Sequence, residues 1–123
     1  MKILESAENY LESILILKKE KGNVRSIDVV NYLGFSKPSV SVAMKQLEAN
    51  GFITRDKDGL INLTEEGKQI AENIYEKHAL LTRHFISIGV SAETAREDAC
   101  RIEHYISQET FDALKRHHMN KHE

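Results

Sequence analysis

The stretch Leu33-Gly34-Phe35-Ser36-Lys37-Pro38-Ser39-Val40 decides the fold. Gly34 suits the left-handed residue that closes a helix, and two positions later a second helix opens. Ser36 is expected as its N-cap, a hydroxyl that accepts from an otherwise unbonded N–H. Pro38 falls in the first turn, where a missing N–H costs nothing. Two short helices around a tight turn containing Gly make a helix-turn-helix.

Outward from this turn, the upstream helix carries Val29, Val30 and Leu33, with Ser26 expected as its cap. The downstream helix runs through Val40, Met44 and Leu47 to Asn50-Gly51. Phe52-Ile53-Thr54-Arg55 and Leu60-Ile61-Asn62-Leu63 then read as strands around Asp56-Lys57-Asp58-Gly59, a hairpin signal. A hairpin directly after such a pair is a wing, so residues 24–63 predict a winged helix-turn-helix.

Before it, Glu5 to Lys21 has a wide apolar stripe at Ala7, Tyr10, Leu11, Ile14, Leu15 and Leu17, and stops at Gly22. After it, Thr64 caps a long helix through Ile70, Ile74, His78, Leu81 and Phe85 that ends at Gly89. Ser91 and Ser107 cap two more. The tail Arg116 to Glu123, with three His residues, lacks an apolar period and reads as frayed and solvated. The fold class is therefore mainly α with a small β-hairpin. Residues 1–64 are read as the winged helix-turn-helix domain and residues 65–123 as a separate helical domain.

The 123 residues contain no apolar run near the ~20 needed to cross a bilayer, and the charged N-terminus does not resemble a signal peptide. A cytoplasmic protein is expected, with its single Cys kept reduced. Net charge is −2, divided unevenly: residues 1–64 carry 9 Lys/Arg against 8 Asp/Glu, and residues 65–123 carry 8 against 11. DNA contact belongs to the first part and a cation to the second.

In a winged helix-turn-helix the start of the second helix enters the major groove. Ser36, Lys37, Pro38, Ser39, Ser41, Val42 and Lys45 are the expected readers, with no acid between Asp28 and Glu48 to repel phosphate. Ser36 and Ser39 suit phosphates, Pro38 and Val42 thymine methyls, and Lys37 or Lys45 phosphate or guanine. Arg25, Arg55 and Lys57 add backbone contacts. So few contacts call for a homodimer on a palindromic double-stranded operator.

The metal signal is Ala99-Cys100-Arg101-Ile102-Glu103-His104. Cys100, Glu103 and His104 stand at i, i+3 and i+4, one face of a helix, with a thiolate, a carboxylate and an imidazole for a divalent first-row ion. Read alone, a buried small Cys beside a solvated Glu and His is the commoner meaning of such a triplet. Asn9, Glu12 and His78, on earlier helices, offer the remaining donors.

With both patterns in place, the chain resembles the diphtheria-toxin-repressor family of metal-dependent transcription regulators, especially its short two-domain, manganese-type members. The resemblance rests on Ala7-Glu8-Asn9-Tyr10-Leu11-Glu12, Ser36-Lys37-Pro38-Ser39-Val40-Ser41, Leu63-Thr64-Glu65-Glu66-Gly67, Lys77-His78-Ala79-Leu80-Leu81 and the run ending at His104. It implies a dimer repressing metal-uptake genes, with residues 1–64 as the DNA-binding domain, whose first helix also lends metal ligands, and residues 65–123 as the helical metal-binding and dimerisation domain. Cys100, Glu103 and His104 would be iron-type primary ligands, and Glu12 and His78 manganese-type ones. Asn9 stands where the family carries Met or Asp, a weaker neutral donor. Thr82 and Arg96 replace the acid and the His of an ancillary site, which is expected to be absent. The SH3-like third domain of longer members is likewise not expected.

Thiolate chemistry at position 100 puts Fe(II) first and Mn(II) second, with Co(II) or Zn(II) as substitutes in vitro. Two other readings stay open: a metal-independent regulator sensing redox through Cys100, and a small metalloenzyme. The second is disfavoured because no separate general base is evident, so neither catalysis nor a small organic substrate is expected.

Overall fold

A computed structural model describes residues 5–121, with side chains through Met119. It contains six helices and a hairpin: α1 Glu5–Lys21, α2 Ser26–Leu33, α3 Lys37–Ala49, β1 Ile53–Arg55, β2 Ile61–Leu63, α4 Glu65–Ser87, α5 Ala92–Ile102 and α6 Gln108–Lys121. The mainly helical fold with one small hairpin is the expected one. The chain divides into two compact units, Met1–Asn73 and Ile74–Glu123, with the division inside α4.

In the first unit Leu11, Ile14, Val24, Val29, Val40, Met44, Ile53, Ile61 and Ala71 form one buried cluster. The apolar stripe of α1 enters it, so α2, α3 and the hairpin pack on that helix. Gly34 takes φ 73° and its N–H bonds the carbonyl of Val30, ending α2 as a left-handed cap. Ser36 then caps α3, accepting from the N–H of Ser39 at 3.2 Å.

The start of α2 departs from expectation. Arg25, not Ser26, is the N-cap, and the carboxylate of Asp28 accepts its N–H at 2.8 Å. Asp28 also takes Lys21 at 2.6 Å, and these two partners, Lys21 first, hold its carboxyl below the usual range. An acid at the third helical position does here what a hydroxyl at the first cannot.

The wing pairs Ile53 with Leu63 and Arg55 with Ile61, antiparallel. Oδ1 of Asp56 accepts the N–H groups of Asp58 and Leu60, both at 2.9 Å, which closes the loop. The N–H of Ile61 donates to the carbonyl of Val24 at 2.7 Å, tying the wing to the segment ahead of α2. Thr64 joins wing to α4: its hydroxyl donates to the carbonyl of Gly51 at 2.7 Å and accepts the N–H of Gly67 at 3.2 Å. A Cβ at Gly67 would lie 2.0 Å from the carbonyl oxygen of Phe52, so only Gly fits there.

The second unit holds the rest of α4 with α5 and α6, around Ile74, Leu81, Ala95, Ala99 and Phe111. Ser91 and Ser107 cap α5 and α6 as expected, bonding the N–H groups of Thr94 and Thr110. The tail is not frayed where it is described. Helix α6 continues to Lys121, and His118 is buried against His84. An apolar period was missing because the anchor is an imidazole. The last two residues, His122 and Glu123, lie outside the described part of the expectation.

Candidate metal centre and nucleic-acid interface

Helix α5 buries one stripe, Ala95, Ala99 and Glu103, each 0% exposed and four residues apart. The first two are small enough to bring the helix close to its neighbours, and the third carries a carboxylate inside with them. Helix α5 ends at Ile102. Glu103 keeps helical backbone angles and bonds the carbonyl of Ala99, after which the chain turns.

Oε2 of Glu103 lies 2.8 Å from Nδ1 of His78 on α4, and its Oε1 lies 3.5 Å from Nε2 of His104. Oε1 accepts no hydrogen bond from the described residues. A fully enclosed carboxylate is costly unless its charge is compensated, and here its only partners among the described residues are imidazoles. A carboxylate flanked by two imidazoles suits a divalent first-row cation.

The other expected ligands are placed differently. Cys100 lies about 100° round α5 from Ala99 and is exposed. It therefore does not share the interior direction of Glu103, although the spacing alone allows it. Glu12 is buried on α1 and Asn9 is half-buried one turn earlier. Among the described residues no three His, Cys, Asp or Glu side chains already stand as a ligand cluster. In this arrangement two candidate ligands, His78 and Glu103, satisfy one another.

Residues 2–60 match the model of the iron dependent repressor N-terminal DNA binding domain. Residues 64–121 match that of the iron dependent repressor metal binding and dimerisation domain. The chain belongs to the iron-dependent repressor family. It is 38% identical over 110 residues to the transcriptional regulator MntR of Salmonella typhimurium, covering 89% of this chain and 70% of that protein. The structure of the manganese regulator SloR matches with a TM-score of 0.79 at 25% identity, and that of the metal-dependent transcriptional regulator MtsR with 0.83 at 26%. Each match covers 89% of this chain, which spans about half, 52%, of each of those two chains.

In this member of the family the expected reader residues divide by what already occupies them. Lys37, Pro38, Ser39, Val42 and Lys45 are exposed on α3, and Val42 at 56% is an apolar side chain held in solvent, as a thymine-methyl contact requires. Ser41 is half-buried, and Ser36 spends its hydroxyl on capping and on Ser39. Lys57 is exposed at the wing. Arg25 donates to the carbonyl of Asp58 at 3.3 Å, which places it beside the wing tip.

Arg55 is committed elsewhere. Its guanidinium donates to Glu48 at 2.9 Å, an exchange of phosphate reach for a brace between α3 and β1. The sequence reading missed Ser26 and Ile27, which line a hollow of about 460 Å³ with Val30, Lys37 and Ser41. Ile27, an apolar residue directly after the helix start and off the Val29–Val30–Leu33 face, was the available signal.

Proposed function

We propose that this chain is a homodimeric DNA-binding repressor whose operator affinity is set by a divalent metal. The observation that carries the reading is the buried Glu103, whose partners among the described residues are His78 and His104, in a chain that also presents an exposed reader helix. His78, Glu103 and His104 are proposed as ligands, and Glu12 and, as a weaker neutral donor, Asn9 remain the further candidates that the family resemblance offers. Bound there, a divalent cation supplies the positive charge that the enclosed carboxylate lacks.

His78 and Glu103 would hold such an ion in place of the bond they make to one another. Occupancy of these residues would favour dimer conformations in which both α3 helices meet adjacent major grooves of a palindromic operator. Lys37, Lys45 and Lys57 neutralise phosphates while Ser39 and Val42 face bases. The regulated genes are proposed to be those of metal uptake, in the cytoplasm, with no catalytic turnover. Among the described residues no helix is long and apolar enough to cross a membrane.

Manganese comes ahead of iron in this reading. The preference for Fe(II) depended on a thiolate ligand, and Cys100 is exposed while the carboxylate and the imidazoles of the centre are interior. Oxygen and imidazole donors suit Mn(II), and the relatives named above include a manganese regulator. Exposure of Cys100 also supports the thiol-sensing alternative, which predicts loss of DNA binding on peroxide treatment of metal-free protein.

The deciding experiment titrates operator DNA with and without Mn(II), for the native protein and Glu103→Gln. Metal-dependent binding that Glu103→Gln abolishes, with helix content unchanged, is expected. Operator affinity indifferent to chelator sinks the proposal.

A further inference from the structure

Thr82 stands one turn beyond His78 on α4, on the same face, with Cβ atoms about 5–6 Å apart as i,i+4 neighbours. A Thr buried in a helix ordinarily donates to the carbonyl four residues earlier. Thr82 does not. Its Oγ1 is buried and has no hydrogen-bond partner among the described residues, which it shares with Oε1 of Glu103. Leaving a buried hydroxyl unsatisfied costs stability, so such a group in a native core calls for an explanation.

Here a donor without an acceptor lies one turn from His78, whose Nδ1 touches Oε2 of the carboxylate whose other oxygen, Oε1, has no donor among the described residues. The two are not bonded to each other, and a water that accepts from the hydroxyl and donates to the carboxylate would satisfy both. We propose that Thr82 is a positioning residue of the metal centre, its hydroxyl holding Oε1 of Glu103 through one water molecule so that the carboxylate presents Oε2, the oxygen on His78, to the cation. This rests on the ligand reading above. It makes the hydroxyl a determinant of affinity for oxygen-preferring ions without making it a ligand. Groups that orient metal ligands in this way typically change affinity by about 10–100-fold when removed.

The test uses Thr82→Val, which keeps the shape and removes the hydroxyl, and Thr82→Ser, which keeps the hydroxyl. Mn(II) binding is followed by loss of the free-ion electron paramagnetic resonance signal, and metal-free stability by thermal unfolding in chelator. Thr82→Val should weaken Mn(II) by about 10–100-fold while the metal-free protein melts close to the native one, because the shape is kept and only a water-mediated bond is lost. Thr82→Ser should stay near native affinity. Native affinity in Thr82→Val overturns the inference, as does equal weakening in both variants with a lowered metal-free melting point, which marks a packing role. Failure of the native protein itself to bind Mn(II) would remove the ligand reading as well, whereas loss of binding in Glu103→Gln alone removes only the role of Thr82.

Discussion

His84 on α4 and His118 on α6 face each other nitrogen to nitrogen, Nδ1 to Nε2, at 2.8 Å. The rings meet edge to face with centroids 4.9 Å apart, and His118 is 8% exposed. Lys115 on α6 forms an ion pair with Glu76 on α4 that raises the lysine pKa. These links, one inside and one at the surface, hold α6 to α4 along a segment with little apolar content. His118→Ala is expected to cost about 1–3 kcal/mol and to raise amide hydrogen exchange in the last turns of α6 before the rest of the second unit. Uniform exchange in the variant and the native protein would show that the pair anchors nothing.

The contact of Gly67 with Phe52 yields a sharper stability test. Gly67→Ala places a methyl group 2.0 Å from a backbone oxygen, and backbone cannot move aside as a side chain would. We expect a loss of about 2–3 kcal/mol in urea unfolding, although Ala is ordinarily the better helix former by about 1 kcal/mol. A stabilised variant would mean that α4 starts elsewhere.

Asp28 should leave a signature in acid. Its carboxyl is held below the ordinary range by Lys21 and by the N–H of Arg25, so the folded chain binds a proton less readily than the unfolded one. That contribution is complete above the unfolded value of about 4 and disappears as pH falls through the lowered folded value. Asp28→Asn should therefore lower stability by about 0.5–1 kcal/mol at neutral pH and flatten the acid limb of the stability curve. Equal slopes for the two proteins between neutral and strongly acid pH would rule out this role.

The pair of Arg55 and Glu48 separates two kinds of cation on the DNA-binding unit. Lys45→Ala and Lys57→Ala should each weaken DNA binding and reduce the dependence of log affinity on log salt by about one. Arg55→Ala should change that slope less. Glu48→Gln, which releases the guanidinium, should tighten binding with little sequence preference. A full unit of slope lost in Arg55→Ala would mean that the ion pair opens on the operator.

What the sequence by itself determined was local. Gly34, Ser36 and Pro38 stop one helix and start the next through backbone geometry and one capping bond, and Thr64, Ser91 and Ser107 act likewise, so the helix-turn-helix and the element order were legible. The candidate ligand types were legible too, because Cys, Glu and His at helical spacing are visible in one dimension. Tertiary packing decided which of them meet. His78 and Glu103 touch across α4 and α5, while Cys100, equally well spaced, faces outward because Ala95, Ala99 and Glu103 form the buried stripe. Arg55 was drawn to Glu48 and His118 to His84 by contacts between separate elements. Periodicity states which side chains can share a face of one helix; only the packing of several helices selects which face turns inward.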